Sequence, residues 1–411
     1  MSRDPHEPAL RETLARLEAA GSALRARSPE AVAASVARAW GSIADPELAP
    51  GRAARQRLPE STGLTLPMVA WALSATFEGL SEASLVDAAR RMAPPEGAVA
   101  APAGLGVLVL AGNVFTACVQ PWSLGLIARA PLLVKASSED DVLPRLFAEA
   151  LAAQDPVLGE ACAVVTFPGG TPALEATLLS RADVVNAYGS DTTLASIRGR
   201  LSPTTHFVPH GHGLGVGYVA ALDSRDASRQ AAEAFALDVA AYDQRGCMSP
   251  HAIFVAPGAL GGAAFAEDLA AALDRRAEEL PRGALPVDVG GAQLQWRSVA
   301  RVRGTLHEGD GWAVGYEGEA ALRVSPGWRN VMVLDTPDDG AFAAALAPLG
   351  VHLKTLGVFG DPATRRALAG ALPAPLAPRV CAAGRMQRPP LLALADGRLP
   401  WEGLSRWIEV E

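Results

Sequence analysis

The chain has 411 residues, 49% hydrophobic and 19% charged, with a formal net charge of −8. That length can carry two cores of domain size, and an acidic balance without a basic stripe argues against a nucleic-acid partner. Four cysteines, Cys118, Cys162, Cys247 and Cys381, stand far apart with no CxxC pair. This spacing argues against a metal site or a disulfide scaffold and points to the reducing cytoplasm.

Arg3, Asp4, Glu7, Arg11 and Glu12 crowd the start of the chain, unlike a secretory signal. Residues 8–27 have helical apolar spacing, and Ser28-Pro29-Glu30 reads as a cap with proline at the first helical position. A Pro/Gly/Arg-rich break is expected over 45–59, then helices over 64–77 and 81–92. Residues 1–95 are therefore expected to form a helical region packed on the next domain. From Gly97 to Ala128 there is no charged residue, a length that suggests a membrane helix. Pro102, Asn113, Gln120 and Pro121 interrupt it and the pattern changes midway, so a buried strand–loop–helix is expected and no membrane span.

Beyond Gly104 strands and helices alternate: strands over 106–110, 132–135, 162–167 and 183–186, helices over 116–129, 141–152, 172–179 and 192–200. Such alternation predicts a parallel, doubly wound sheet, which binds ligands beyond the carboxyl ends of its strands. The strand-end residues are Asn113, Lys135, Ser137, Ser138, Gly170, Thr171, Gly189 and Ser190. No G-x-G-x-x-G fingerprint follows a strand. Gly189-Ser190-Asp191 instead offers a hydroxyl-capped helix N-terminus for a pyrophosphate, and the glycine-rich run Gly211–Gly217 reads as a tight crossover. Only Lys135 and Lys354 are lysine among 36 basic residues. In so arginine-rich a chain, a lysine in an apolar setting is expected to be there for its chemistry.

A second α/β unit is expected from Leu222, with a helix over 228–241, a strand over 252–255 and a helix over 265–279. A less regular Gly/Trp-rich segment follows, then strands over 330–334, 353–359 and 380–383 and a helix over 339–346. The domain boundaries are thus 1–95 (helical), 96–221 (dinucleotide-binding), 222–383 (thiol) and a tail, 384–411, returning over the cofactor domain. Cys247 lies on the loop between the helix and the first strand of this unit, after Gly246 and before Ser249-Pro250. A thiol held there can serve as a nucleophile; a small buried hydrophobe is the other reading of a free cysteine.

The Asn113 loop, Lys135 at a strand end, Gly189-Ser190 and the Cys247 loop together resemble the aldehyde dehydrogenase superfamily. Asp243-Gln244-Arg245-Gly246-Cys247-Met248-Ser249-Pro250 and Gly384-Arg385-Met386-Gln387, with Asp396-Gly397 and Leu404-Ser405-Arg406-Trp407, are most similar to its bacterial acyl-CoA reductase family. The fatty acyl reductase that feeds bacterial luciferase belongs to that family. The resemblance implies two doubly wound α/β domains with a helical N-terminal region, and NAD(P)H-dependent reduction of an acyl thioester to an aldehyde. It puts Cys247 at the nucleophile, Asn113 at the oxyanion donor, Lys135 at the adenosine ribose or its phosphate, and Gly189 and Ser190 at the pyrophosphate.

Two positions depart from the oxidising members of the superfamily. Their general-base glutamate falls where this chain reads Pro209-His210-Gly211-His212-Gly213, leaving His212 or His210 as the catalytic histidine candidate. Their ribose-binding glutamate falls near Pro326-Gly327-Trp328-Arg329. Ser138, three residues after Lys135, stands where NAD-preferring members carry glutamate, so NADPH is expected, with NADH as the alternative. The substrate implied is acyl-CoA or an acyl-carrier protein, and a homo-oligomer is compatible with the sequence. The rival readings are a reductase of carrier-bound acyl chains, an oxidising aldehyde dehydrogenase, and a non-catalytic nucleotide- or partner-binding module.

Overall fold

The computed structural model describes residues 5–319 and 321–411; Arg3 and Asp4 of the N-terminal charge cluster lie outside them. Fourteen strands are found among the described residues: β1 Ala98–Pro102, β2 Gly106–Val109, β3 Leu132–Ala136, β4 Cys162–Thr166, β5 Val184–Tyr188, β6 His206–His210, β7 Leu214–Val219, β8 Pro250–Val255, β9 Thr305–Gly309, β10 Trp312–Tyr316, β11 Asn330–Asp335, β12 Leu353–Phe359, β13 Arg379–Ala382 and β14 Ser405–Glu409. They build a five-stranded sheet, β4-β3-β2-β5-β6, and a seven-stranded sheet, β13-β12-β7-β8-β11-β10-β9. Every neighbouring pair is parallel except β9–β10. A third, two-stranded sheet joins β1 to β14 antiparallel.

The strands of the five-stranded sheet are continuous apolar runs because helices cover both faces. On one face, Leu10, Leu14 and Leu17 of the helix Glu7–Arg25 pack with Val107, Leu133 and Val185. On the other, Val32, Val36 and Trp40 of the helix Pro29–Ala44 join Trp122, Val134 and Phe147. Trp40 stacks on Phe147 at 3.6 Å between ring centroids, and its indole N–H donates to Ser123 Oγ at 2.9 Å. The expected Ser28 cap is present, its hydroxyl accepting from the Ala31 N–H. The uncharged stretch 97–128 resolves into β1, β2, a 3₁₀ turn Phe115–Cys118 and a helix Val119–Ile127. Among the described residues no helix is long and apolar enough to cross a membrane.

Three segments differ from expectation. Residues 45–59 are largely a helix, Ala49–Thr62, rather than a break. Pro50 falls in its first turn, where no N–H bond is lost, and Arg55 reaches back to the carbonyls of Ile43, Ala44 and Gly51. Gly51 permits this close turn, since a Cβ there would collide with the Asp45 carbonyl. The Gly/Trp-rich segment contains a helix, Val287–Arg303, besides β9 and β10. Its buried residues are only Gln293, Trp296 and Ala300, too narrow a seam to give an apolar stripe, and Gly290-Gly291 lowers its propensity. A helix Pro362–Ala371 also follows β12.

The seven-stranded sheet takes β7, which precedes the 221/222 boundary expected from the sequence. The tail crosses both sheets. Asp238, in the helix Arg225–Ala240, accepts the N–H groups of Gly384 (2.6 Å) and Met386 (3.0 Å). Gln120 donates to the carbonyls of Leu391 (2.6 Å) and Ala393 (3.2 Å). The tail then ends as β14 against β1.

Candidate active site

Loops leaving the carboxyl ends of β2, β3, β5 and β6 face the amino ends of β7, β8 and β12. Asn113, after β2, donates from Nδ2 to the Arg245 carbonyl at 3.2 Å. Thr116 Oγ1 and the Tyr242 hydroxyl are 2.8 Å apart. Both bonds tie the loop after β2 to the segment that carries Cys247.

That segment is strained. Tyr242, Asp243 and Gln244 are consecutive non-glycine residues at φ 51°, 54° and 58°, all buried. Left-handed backbone costs roughly 1–2 kcal/mol per residue, so it persists only where the surroundings over-determine it. Here Arg329 donates twice to Asp243 Oδ1, at 3.0 and 2.7 Å, and Gly283 N–H donates to Oδ2 at 3.0 Å. Gln244 donates to the carbonyls of Pro250 (2.7 Å) and Asn330 (2.8 Å) and accepts the Asn330 N–H at 2.8 Å. From the helical region, Met68 Sδ accepts the Tyr242 N–H, and the Thr62 carbonyl accepts from Arg245.

Cys247 emerges from this frame exposed, whereas Cys118 and Cys162 are buried and Cys381 is half-buried. Burial pushes Cys118 far up, Cys162 up to about 12 and Cys381 up to about 11. The cleft walls also desolvate the Cys247 sulfur and push its thiol upward. Lys354 pulls it back and Asp396 opposes that pull.

The remaining strand-end residues divide. Lys135 lies with its ammonium 5.3 Å from the Phe167 ring centroid; burial lowers its pKa, with Glu175 working against that. Ser137 Oγ accepts the Glu139 N–H at 3.2 Å, and Ser138 and Glu139 are both exposed. Ser190 caps the helix Asp191–Arg198, accepting the Thr193 N–H at 3.1 Å. Gly189 packs so closely that a Cβ would stand 3.2 Å from Thr193. These residues fit an anionic dinucleotide: one ammonium, the exposed Ser138 hydroxyl and a helix N-terminus. Gly170 and Thr171 are engaged already, since the Gly170 N–H donates to Glu175 at 2.7 Å and the Thr171 hydroxyl to the Pro168 carbonyl at 2.8 Å.

His210 ends β6, stacks on Tyr188 at 4.4 Å and lies 3.5 Å from Asp396 Oδ2. His212 is exposed, and it is its carbonyl that meets His352 Nδ1, at 2.9 Å. The structure thus gathers Asn113, Cys247, Lys354, Asp396, His210 and Tyr188 around one cleft.

A family model described as acyl-CoA reductase (LuxC) matches residues 79–407. The chain belongs to the acyl-CoA reductase family. It is accordingly an oxidoreductase that reduces an acyl thioester to an aldehyde with a nicotinamide cofactor. A comparison with curated protein sequences returns no significant match. Among solved structures, one assigned as an aldehyde dehydrogenase from Burkholderia cenocepacia is similar at TM-score 0.75 and 16% identity, over 99% of this chain and 92% of that one. An NAD-dependent benzaldehyde dehydrogenase from Corynebacterium glutamicum gives 0.73 and 14%, over 97% and 90%. An NAD-dependent aldehyde dehydrogenase from Sinorhizobium meliloti gives 0.72 and 14%, over 98% and 86%. The acyl-CoA reductase therefore has the aldehyde dehydrogenase-like fold expected from its sequence.

Asp243, Arg329 and Asp396 were not singled out as site residues by sequence reasoning. The pairing of Lys354 with Asp396 had half a signal, the scarcity of lysine; nothing in the sequence pointed to its partner 42 residues on.

Proposed function

We propose that Cys247 is the nucleophile of this acyl-CoA reductase and that Asn113, with the Cys247 backbone N–H, holds the oxyanion. The observation that carries this reading is the Asn113–Arg245 bond at 3.2 Å, which sets an exposed amide two residues from the one exposed cysteine among the described residues. The Cys247 thiolate attacks the thioester carbonyl, the oxyanion draws on those two donors, and the carrier thiolate leaves an acyl-cysteine. Both sulfurs are thiols of comparable leaving ability, so the exchange needs no strong base. When bound, the nicotinamide supplies the hydride that turns the acyl-cysteine into a thiohemiacetal. Collapse of that adduct releases the aldehyde and the Cys247 thiolate.

Lys135, Ser137, Ser138, Gly189 and Ser190 are the residues that would hold the dinucleotide, and the exposed Ser138 favours NADPH. Acyl-CoA is the substrate and a fatty aldehyde the product class, with the cytoplasm as the location in keeping with four scattered free thiols. The test is mass spectrometry after mixing the full-length protein with acyl-CoA in the absence of reduced cofactor. A stable acyl adduct on Cys247 is expected; no adduct on any cysteine would overturn the assignment of a cysteine nucleophile.

A further inference from the structure

Three independent devices converge on one ion pair beside Cys247. The first is a bulge. β12 pairs with β7 as Leu353↔Leu214 and then Thr355↔Gly215, so Lys354 has no counterpart across the ladder. Bulges near sites re-aim a side chain, and here the re-aimed one is the second of only two lysines. The second is a glycine: a Cβ at Gly213 would collide with the Lys354 stem, so the glycine leaves room for it. The third is a hairpin tip in the tail. Ala395 and Arg398 exchange backbone bonds at 2.9 and 3.0 Å around Asp396 (φ 51°) and Gly397 (φ 76°). Positive φ at both central residues makes this a tight two-residue turn, with an aspartate bearing left-handed strain at its tip.

The tip delivers a carboxylate to the lysine: Lys354 Nζ donates to Asp396 Oδ1 at 2.7 Å, while Oδ2 faces His210. The Lys354 side chain is only 12% exposed. Burial pushes the Asp396 carboxyl up, but the His210 and Lys354 contacts outweigh it and hold it below its ordinary range. β7 runs between β12 and β8, and its Gly215 N–H donates to the Ser249 carbonyl at 2.8 Å. Lys354 therefore stands one strand from the Cys247 loop, on the same edge of the sheet. The downward pull of its ammonium on the Cys247 thiol agrees with that proximity.

We propose that Lys354 is a second catalytic residue, the acid that protonates the thiolate expelled from the acyl thioester, and that Asp396 is its positioning residue. The proposal rests on the Cys247 reading. As the Cys247 S–C bond forms, the carbonyl–sulfur bond of the thioester breaks and its electron pair stays on the carrier sulfur. That sulfur takes a proton from Lys354 Nζ, and the neutral amine regains one from water. Collapse of the thiohemiacetal later returns Cys247 as thiolate, so the single proton of the net reaction enters at this step.

The test is single-turnover thiol release from two esters of one acyl group, acyl-CoA and an acyl thiophenol, with the full-length protein. An aryl thiolate is a weak base and leaves unprotonated. General-acid loss typically costs 10²–10⁴-fold, so Lys354→Met should slow release from acyl-CoA about 100-fold while leaving the aryl ester within about threefold. Lys354→Arg keeps the charge but no transferable proton and should match Lys354→Met on acyl-CoA. Asp396→Asn should show the same ester dependence, weaker. Equal slowing of both esters, no slowing of either, or a fully active Lys354→Arg would overturn the proposal. Thiol release that survives Cys247→Ala would instead overturn the nucleophile assignment.

Discussion

Arg329 and Asp243, 86 residues apart and both buried, are joined by two bonds from one guanidinium to one carboxylate oxygen. Asp243 is the middle of the three left-handed residues that launch the Cys247 loop. The ion pair therefore braces the frame from which Cys247 emerges.

Removing one partner leaves an uncompensated buried charge, which costs about 3–5 kcal/mol. Arg329→Met should lower the urea midpoint by that measure. The double variant Asp243→Asn, Arg329→Met should recover part of it, because no lone charge remains. A double variant no more stable than Arg329→Met would refute this account of the pair.

Cys247→Ala should abolish both acyl-adduct formation and aldehyde production while leaving cofactor binding intact. Cys118 and Cys162 are buried and Cys381 half-buried, with thiols pushed well up, so alanine at each should keep acylation. Adduct mapping by peptide mass spectrometry decides it; an adduct on Cys381 alone would be the contrary result.

For Asn113→Ala, loss of one oxyanion donor should slow acylation by about 10²–10³. Unfolding should be unaffected, since the side chain is exposed. An acylation rate equal to wild type removes Asn113 from the chemistry.

On the proposed reading cofactor choice turns on Ser138, which is exposed close to Lys135 and Ser137 in the chain. A 2′-phosphate would find an ammonium and hydroxyls there, and a carboxylate would repel it. The ratio of kcat/KM for NADPH over NADH should exceed one and fall below it in Ser138→Glu. A wild type favouring NADH, or a variant that keeps its preference, contradicts this assignment.

Asp238 gives a pH dependence. Burial pushes its carboxyl up to about 7, against the opposing Gly384 and Met386 N–H groups and Arg379 and Arg388. In the unfolded chain the value is about 3.9. The native state therefore binds this proton more tightly, and its stabilising contribution is full below about pH 4 and lost as pH rises through about 7. Asp238→Asn should flatten that slope. Thermal unfolding of wild type and variant at pH 5 and pH 8 measures it, and an unchanged difference between the two pH values counts against it.

The buried parallel strands were legible because a sheet covered on both faces writes continuous apolar runs; β2 to β5 agree with the sequence reading within about two residues. The helix Ala49–Thr62 was not, because its tolerance of Pro59 depends on packing by Gly51, Ala54 and Leu58 rather than on propensity. In the site, Asn113 and Cys247 were singled out through the family resemblance, and the structure brings their loops together. His210 and His212 could not be told apart in the sequence; in the structure His210 ends β6 beside Asp396 and His212 is exposed. Lys354 was visible as a rare residue, but its bulge and the hairpin that meets it are properties of strand pairing across distant sequence.

The pairing of β1 with β14, Ala98 to Glu409, bears on the order of synthesis. Chains fold from the amino end as they emerge from the ribosome. All five strands of the cofactor sheet, and then the Cys247 loop, leave the tunnel well before Asp396. A growing chain thus displays Cys247 before Lys354 has a carboxylate to hold it. A nascent chain stalled before that hairpin therefore carries the Cys247 loop without the carboxylate that Lys354 meets.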